Sequence, residues 1–335
     1  MKLTGLLSCI DSHAGGMPNR IVVGGLPYIP GRTMADKERY LQEQRDDVRQ
    51  LLMSEPRGSA TMAGVIVTEP VTAEADCGLI WIEPWGYPPG CGHGTIATTT
   101  ALVETGILTP RGAEHEIVYD TVPGPIRARV SLRDDKVEQV SVTYVPSFLH
   151  HDQAPIQVEP WGTLRVDVAW GGCYYAIIPA EAVGLTVDQG NYRALVQAGK
   201  LLLPAVNEQL QVQHPEFPDI RQVHYILFSG KPSLPNAHAR NMVYLPPDSA
   251  DRSPCGTGTC ARMATLHARG QLPLHQDFGH ESIVSSLFVG RLIGTTQVGP
   301  FNAVIPTLTG RGYITGLQQF VLDPEDPFPR GFLLG

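Results

Sequence analysis

The sequence predicts an α/β fold built from two similar, pseudo-twofold domains, and three observations predict it. Residues Cys91 to Leu108 (CGHGTIATTTALVETGIL) and Cys255 to Leu272 (CGTGTCARMATLHARGQL) align without a gap and agree at 8 of 18 positions. An earlier echo keeps the same order: Asp11-x-x-x-Gly15-Gly16 precedes the apolar run Ile21-Val22-Val23, and Asp167-x-x-x-Gly171-Gly172 precedes Ala176-Ile177-Ile178. The spacing from Asp to Cys is 80 residues in one half (11 to 91) and 88 in the other (167 to 255), which suits related domains rather than a solenoid of short repeats. The division we expect is 1–160 and 161–314, with a tail, 315–335, packing back on the first domain. Asp152 to Trp161, with two prolines and little periodicity, reads as the linker.

Strand signals dominate. β-branched or alternating runs occur at Arg20 to Val23, Gly64 to Thr68, Leu79 to Ile82, Glu116 to Asp120, Ile126 to Val130, Glu138 to Tyr144, Leu164 to Val168, Val223 to Phe228 and Arg240 to Tyr244. Thr33 to Ser54 sets Met34, Tyr40, Leu41, Val48, Leu51 and Leu52 among charges and predicts one exposed amphipathic helix. Asn191 to Gln211 is a second helix, which Pro204 should kink or restart. The helices after Cys91 and Cys255 differ from these. No charge occurs between His93 and Glu104, so the first should be enclosed by strands and capped by Gly106; the second ends at Gly270, and its Arg262, His267 and Arg269 need a wetter face.

A chain of 335 residues, 42% hydrophobic and 17% charged, can bury two ordinary cores. A net charge of -8 without a long Lys/Arg cluster argues against a nucleic-acid partner. No apolar run approaches the roughly 20 residues that span a bilayer, and only eight residues precede Cys9, too few for an export signal, so a cytoplasmic, reducing setting is expected. Cys9, Cys77 and Cys173 lie in or beside apolar stretches and read as packing residues, as does Cys260.

The doubled Cys-Gly-x-Gly-Thr carries the chemistry. A glycine-rich entry to a helix leaves backbone N–H groups without intrahelical partners, and the helix dipole favours an anion there. Two such ends could clamp a small carboxylate, and the same field favours thiolate over thiol, bringing a first-turn cysteine pKa toward neutrality. Two sulfurs on opposite faces of an α-amino acid would let one remove the Cα proton while the other returns a proton, inverting the centre. The candidate catalytic pair is therefore Cys91 and Cys255. His93 and Asp251 could hold a substrate ammonium, although an Asp before Arg-Ser-Pro is also a turn former and a histidine at a helix start is also a structural donor. A zinc set from Cys91, His93, Cys255 and Cys260 lacks the usual Cys-x-x-Cys pairing; a P-loop would need a Lys-Ser/Thr. A single cysteine nucleophile leaves the duplication unexplained, and two Gly-capped helices with buried cysteines remain the purely structural alternative.

Asp11-Ser12-His13-Ala14-Gly15-Gly16, Glu55-Pro56-Arg57-Gly58, Gly86-Tyr87, Cys91-Gly92-His93-Gly94-Thr95 and Asp251-Arg252-Ser253-Pro254-Cys255-Gly256-Thr257-Gly258-Thr259 together resemble the proline racemase family, in order and over nearly the whole chain. The resemblance implies the diaminopimelate epimerase-like fold, two α/β domains each with a strand-rich barrel-like sheet around a central helix. It implies cofactor-free and metal-free proton transfer by Cys91 and Cys255, an amine held by His93 and Asp251, and a carboxylate held by N–H groups around Gly92, Gly94, Gly256 and Thr257. A homodimer is the assembly it suggests.

Within that family, dehydratases typically carry threonine for the second cysteine, so Cys255 points to inversion. Typical proline racemases have phenylalanine where this chain has Ala63 and Leu245, and Asn-Ser where it has Gly94-Thr95; smaller walls leave space for a ring hydroxyl. The expected activity is that of a 4-hydroxyproline 2-epimerase, with proline racemase, trans-3-hydroxyproline dehydratase and a non-catalytic amino-acid-binding protein as alternatives. Met17, Pro88-Pro89-Gly90 and Cys173 depart from the family pattern.

Overall fold

The computed structural model describes residues 5–110 and 116–334. They form two compact units, one comprising the chain up to Val142 with the segment from Gly310 onward, the other Thr143–Thr309. In chain order the elements are β1 (Gly5–Ala14), β2 (Met17–Gly24), α1 (Met34–Gln44), α2 (Asp46–Met53), β3 (Ala63–Thr68), β4 (Cys77–Ile82), α3 (Gly92–Glu104), β5 (Glu116–Asp120), β6 (Ile126–Arg133) and β7 (Lys136–Thr143). There follow β8 (Ser147–Val158), β9 (Gly162–Trp170), β10 (Tyr174–Pro179), α4 (Tyr192–Gln209), β11 (Tyr225–Gly230), β12 (Ala239–Leu245), β13 (Ser249–Ala250), α5 (Gly256–Ala268), β14 (Asp277–Ser282), β15 (Leu287–Val298), β16 (Phe301–Gly310) and β17 (Gly312–Leu322).

The repeat extends to topology. In the first unit β17 pairs antiparallel with β1, β1 antiparallel with β2, β2 parallel with β3, β3 antiparallel with β4, β4 parallel with β5, and β5, β6 and β7 follow antiparallel. In the second, β8, β9, β10, β11, β12, β14, β15 and β16 repeat that series pairing for pairing. A further antiparallel pairing of β16 with β8, Ala303 opposite Phe148, closes these strands into a barrel. The strand-rich α/β class expected from the sequence is the one observed.

Each unit sets one helix against the inner face of its strands. α3 packs on β17, β1, β2 and β3, and α5 on β8, β9, β10 and β15. Strand β10 shows how the two faces divide: Ala176 and Ile178 join Leu195 and Leu202 of α4 in the outer core, whereas Tyr175 and Ile177 join Cys255 and Ala261 on the α5 side. A strand covered on both faces reads as a continuous apolar run, as this one does. On α3, residues Gly92 to Leu102 are all buried. Its threonines tolerate this because Thr95, Thr99 and Thr100 return their hydroxyls to carbonyls four residues back. Gly106 ends the helix at φ 73°, with Leu108 N–H donating to the Leu102 carbonyl.

Several sequence expectations give way. Thr33 to Ser54 is two helices: Thr33 and Asp36 form a capping box on α1, Arg45 leaves helical geometry at φ -140°, and Asp46 and Asp47 restart the chain as α2. Lys37, on the supposedly exposed helix, is buried and donates to Thr68 Oγ1 and the Glu69 carbonyl. α4 runs through Pro204 to Gln209. Asp152 to Trp161 is no linker, because it completes β8, whose register against β9 shifts twice and so erases the alternation. Strands β14 to β17 carry no strand signal in the sequence: β14 buries the polar run His280-Glu281-Ser282, and the Gly- and Thr-containing, partly exposed residues of β15 to β17 make a weak pattern. The final segment lies on the first unit, where Phe332 and Glu55 exchange backbone hydrogen bonds and Arg57 pairs with Asp326.

Candidate active site

In the first unit the chain enters α3 at Cys91, in extended geometry (φ -143°, ψ 111°) and without a side-chain cap. Thr95 closes the turn by donating both its N–H (2.9 Å) and its hydroxyl (2.7 Å) to the Cys91 carbonyl. The N–H groups of Gly92, His93 and Gly94 precede that first intrahelical donor, so the helix gives them no acceptor. Cys91 is half-buried and His93 buried, with Nδ1 of the imidazole 3.5 Å from Cys91 Sγ. A Cβ at Gly94 would sit 2.8 Å from that sulfur, so the second glycine of the motif makes room for the thiol.

In the second unit the turn into α5 repeats these bonds. Thr259 donates N–H (2.9 Å) and hydroxyl (2.7 Å) to the Cys255 carbonyl, and a Cβ at Gly258 would lie 3.0 Å from Cys255 Sγ. The surroundings differ. Cys255 is buried and sits at φ 64°, a conformation an L-residue adopts only under constraint. The constraint is visible: Ser253 N–H donates to Asp251 Oδ1 (2.8 Å), and Cys255 N–H donates to Ser253 Oγ (3.1 Å). Asp251 is thus a turn former as well as a buried carboxylate. Beneath the helix start, His280 Nδ1 lies 2.8 Å from Thr259 Oγ1, and burial pushes its pKa down to about 3.

The expectation of a lowered thiol pKa fails at Cys255, which is held well above the ordinary cysteine range. Burial is the main cause and the Asp251 carboxylate adds to it; hydrogen bonds from Tyr175, the Gly258 N–H and Thr257 oppose both without winning. Cys255 is therefore held as a thiol, a group able to give up a proton. Cys9 and Cys77 are buried and pushed up to about 12, and fully buried Cys260 is also raised.

Around the first helix start the structure assembles Cys91, Gly92, His93 and Gly94; around the second, Asp251, Cys255, Gly256 and Thr257. It also adds residues the motif did not predict. Tyr175 on β10 brings its hydroxyl to 3.4 Å from Cys255 Sγ and 2.6 Å from Thr257 Oγ1. Asn19 on β2, at the same distance beyond its own Gly-Gly pair, donates from Nδ2 to Thr98 Oγ1 (3.2 Å) on α3 and leaves Oδ1 buried without a partner. The Gly-Gly echo was the available signal: counting three residues beyond each pair reaches both. The echo also has its own cause in the second unit, since a Cβ at Gly171 would fall 2.2 Å from the Thr257 carbonyl oxygen.

A family model described as proline racemase matches residues 9–333. The chain is 44% identical to a 4-hydroxyproline 2-epimerase of Streptosporangium roseum over 100% of both chains. It is 43% identical to a proline racemase of Acetoanaerobium sticklandii over 99% of each. A crystal structure of a hydroxyproline epimerase from Agrobacterium vitis with bound trans-4-hydroxy-L-proline superposes with a TM-score of 0.90 at 37% identity, covering 100% of this chain and 97% of that one.

Proposed function

The chain belongs to the proline racemase family, and on that premise we propose that it is an isomerase inverting Cα of 4-hydroxyproline, or of proline, with its two motif cysteines as acid and base. The observation that carries the reading is the doubled helix start: equivalent helices in topologically equivalent units each begin at a cysteine, with no side-chain cap occupying the N-terminus. Cys255, buried and protonated, enters the cycle as the acid; Cys91, with an imidazole 3.5 Å away, enters as the base. One sulfur takes the Cα proton and the other delivers a proton to the opposite face, which leaves the two thiols exchanged in protonation state. No cofactor is invoked.

Carboxylate recognition falls to the first-turn N–H groups around Gly92, Gly94, Gly256 and Thr257, and the ammonium to His93 and Asp251. Pairing of Asp251 with a cation would remove one of the charges that raise the Cys255 pKa, easing its ionisation when substrate is bound. The preference for 4-hydroxyproline rests on Ala63, a small residue opposite Asn19 in the β2–β3 register, and on Leu245 at the end of β12. A cytoplasmic location is part of the reading, and no described helix is long and apolar enough to cross a membrane.

Incubation in deuterated water with trans-4-hydroxy-L-proline, L-proline and trans-3-hydroxy-L-proline tests the proposal by NMR. Cα deuterium in both epimers of one of the first two is expected. Dehydration of the 3-hydroxy substrate alone would replace it with the dehydratase reading, and ligand binding without exchange would replace it with a binding protein.

A further inference from the structure

We propose that Tyr175 is a positioning residue for Cys255, its phenol and the Thr257 hydroxyl forming a hydrogen-bond relay that fits Cys255 both as thiol and as thiolate. The proposal deepens the acid/base reading of Cys255 and rests on it. Tyr175 is fully buried on the α5 side of β10, and its hydroxyl has two neighbours, Cys255 Sγ at 3.4 Å and Thr257 Oγ1 at 2.6 Å. A phenol has one proton to give and lone pairs to receive. When Cys255 carries its proton, Tyr175 donates to Thr257 Oγ1 and its oxygen is open to the S–H. When Cys255 has lost it, Tyr175 turns its proton to the sulfur and the Thr257 hydroxyl donates to the phenol oxygen in return.

Only hydrogens rotate between the two patterns, so neither protonation state strands a buried polar atom. A buried thiolate needs such a donor: burial and the Asp251 charge both oppose its formation, and Cys255 must form it once per turnover. Tyr175 keeps its own proton throughout, since burial and its sulfur neighbours hold the phenol well above its usual range. The first unit argues that this is more than core packing. Its counterpart, Asn19, sends its amide nitrogen to Thr98 and sets its Oδ1 beside Gly94, so this strand position is polar in both units and carries a hydroxyl in the second.

The titratable groups facing Cys255 and Tyr175 are Asp251 ahead of α5, Cys173 in the turn after β9 and Tyr225 on β11. None of them is altered by the variants proposed. The measurement is the pH dependence of Cys255 alkylation by iodoacetamide in the full chain without substrate, followed by mass spectrometry of the Cys255 peptide. Tyr175→Phe and Thr257→Val should each raise the midpoint, by about one pH unit for Tyr175→Phe, or roughly tenfold slower alkylation at neutral pH. Thr257→Ser should restore the wild-type midpoint. In turnover, Tyr175→Phe should lower kcat most in the direction that begins with Cys255 as base and leave KM nearly unchanged.

Unchanged midpoints in folded Tyr175→Phe and Thr257→Val would overturn the relay. Should Tyr175→Phe fail to fold, the Thr257 pair carries the test alone. Failure of the underlying reading looks different: Cys255→Ala would then keep inverting substrate, whatever the alkylation midpoints do.

Discussion

The starts of α3 and α5 share a motif, a closing threonine and a glycine under the sulfur, yet they hold their cysteines differently. Cys91 is half-buried on relaxed backbone beside an imidazole; Cys255 is buried on a strained backbone between a phenol and a carboxylate. Duplication copied the turn, which is local, and not the environment, which comes from strands elsewhere in the chain. On the proposed two-cysteine reading, burial gives Cys255 the part of the acid at rest. On the same reading, the hydrogen-bond donors around Cys255 ease its ionisation against that burial.

The largest effect should come from removing either sulfur. Cys91→Ala and Cys255→Ala should each abolish inversion, a loss of about a thousandfold or more, since each removes an acid/base group without which one face of Cα is unserved. They should fail in complementary ways: each variant still exchanges Cα hydrogen of the single epimer that its remaining sulfur deprotonates, read by NMR in deuterated water. Identical behaviour of the two variants toward both epimers would break the comparison.

A smaller effect is expected from the packing beneath the second helix start. Gly171→Ala places a methyl group 2.2 Å from the Thr257 carbonyl oxygen and 2.5 Å from the Ala261 nitrogen. Both are helix backbone, so the turn must shift, at a cost of about 2–3 kcal/mol in a urea titration. Gly15 has another role: with Gly16 it forms the two-residue β1–β2 turn at φ 60° and 89°, the geometry of a type I′ hairpin.

That contrast also shows what could be read in advance. The doubled cysteine motif and the Gly-Gly echo are contiguous signals: the first marks two helix starts, the second an apolar run in each half, and the β-branched runs carry the strand-rich class. His280 reaches the second helix start from β14, where no repeated spacing marks it, and the Gly-Gly spacing marks the position of Tyr175 but not that a hydroxyl stands there. The helix dipole that favours a thiolate is visible in a motif, whereas burial by Ala169, Ile177, Leu227 and Val243, which overrides it at Cys255, is a property of the closed barrel. Asp152 to Trp161 looked irregular because bulges shift its pairing, and one amphipathic pattern concealed the break at Arg45.

Acid should separate the two helix starts. His280 supports Thr259 in the second unit; in the first, strand β5 sends the Tyr119 hydroxyl to Thr99 (2.9 Å), with no titration in the acid range. The folded pKa of His280 is depressed to about 3, so below the ordinary 6.5 the unfolded chain binds a proton that the folded chain refuses. Its contribution is complete above pH 6.5 and is lost as pH falls toward 3, at about 1.4 kcal/mol per pH unit. His150, depressed to about 4 by burial, adds to the same slope. Hydrogen exchange at pH 4.5 should show α5 losing protection before α3, and His280→Asn should flatten the wild-type pH dependence. Equal loss from both helices would deny the second unit this acid-sensitive support.

The smallest effect sharpens the comparison at the substrate's ring. Ala63 stands opposite Asn19, and parallel partners in register share a face, so it lies on the α3 side of its strand. Leu245, at the end of β12, is only partly buried, packed against the cluster that holds Cys255. Ala63→Phe should therefore discriminate more than Leu245→Phe, lowering kcat/KM for trans-4-hydroxy-L-proline about tenfold relative to L-proline, the scale of a steric change in an apolar wall. Both changes should leave Cα exchange of L-proline intact. Equal losses for the two substrates would mean that the wall at position 63 does not sense the ring hydroxyl, and that selection between proline and hydroxyproline is made elsewhere in the chain.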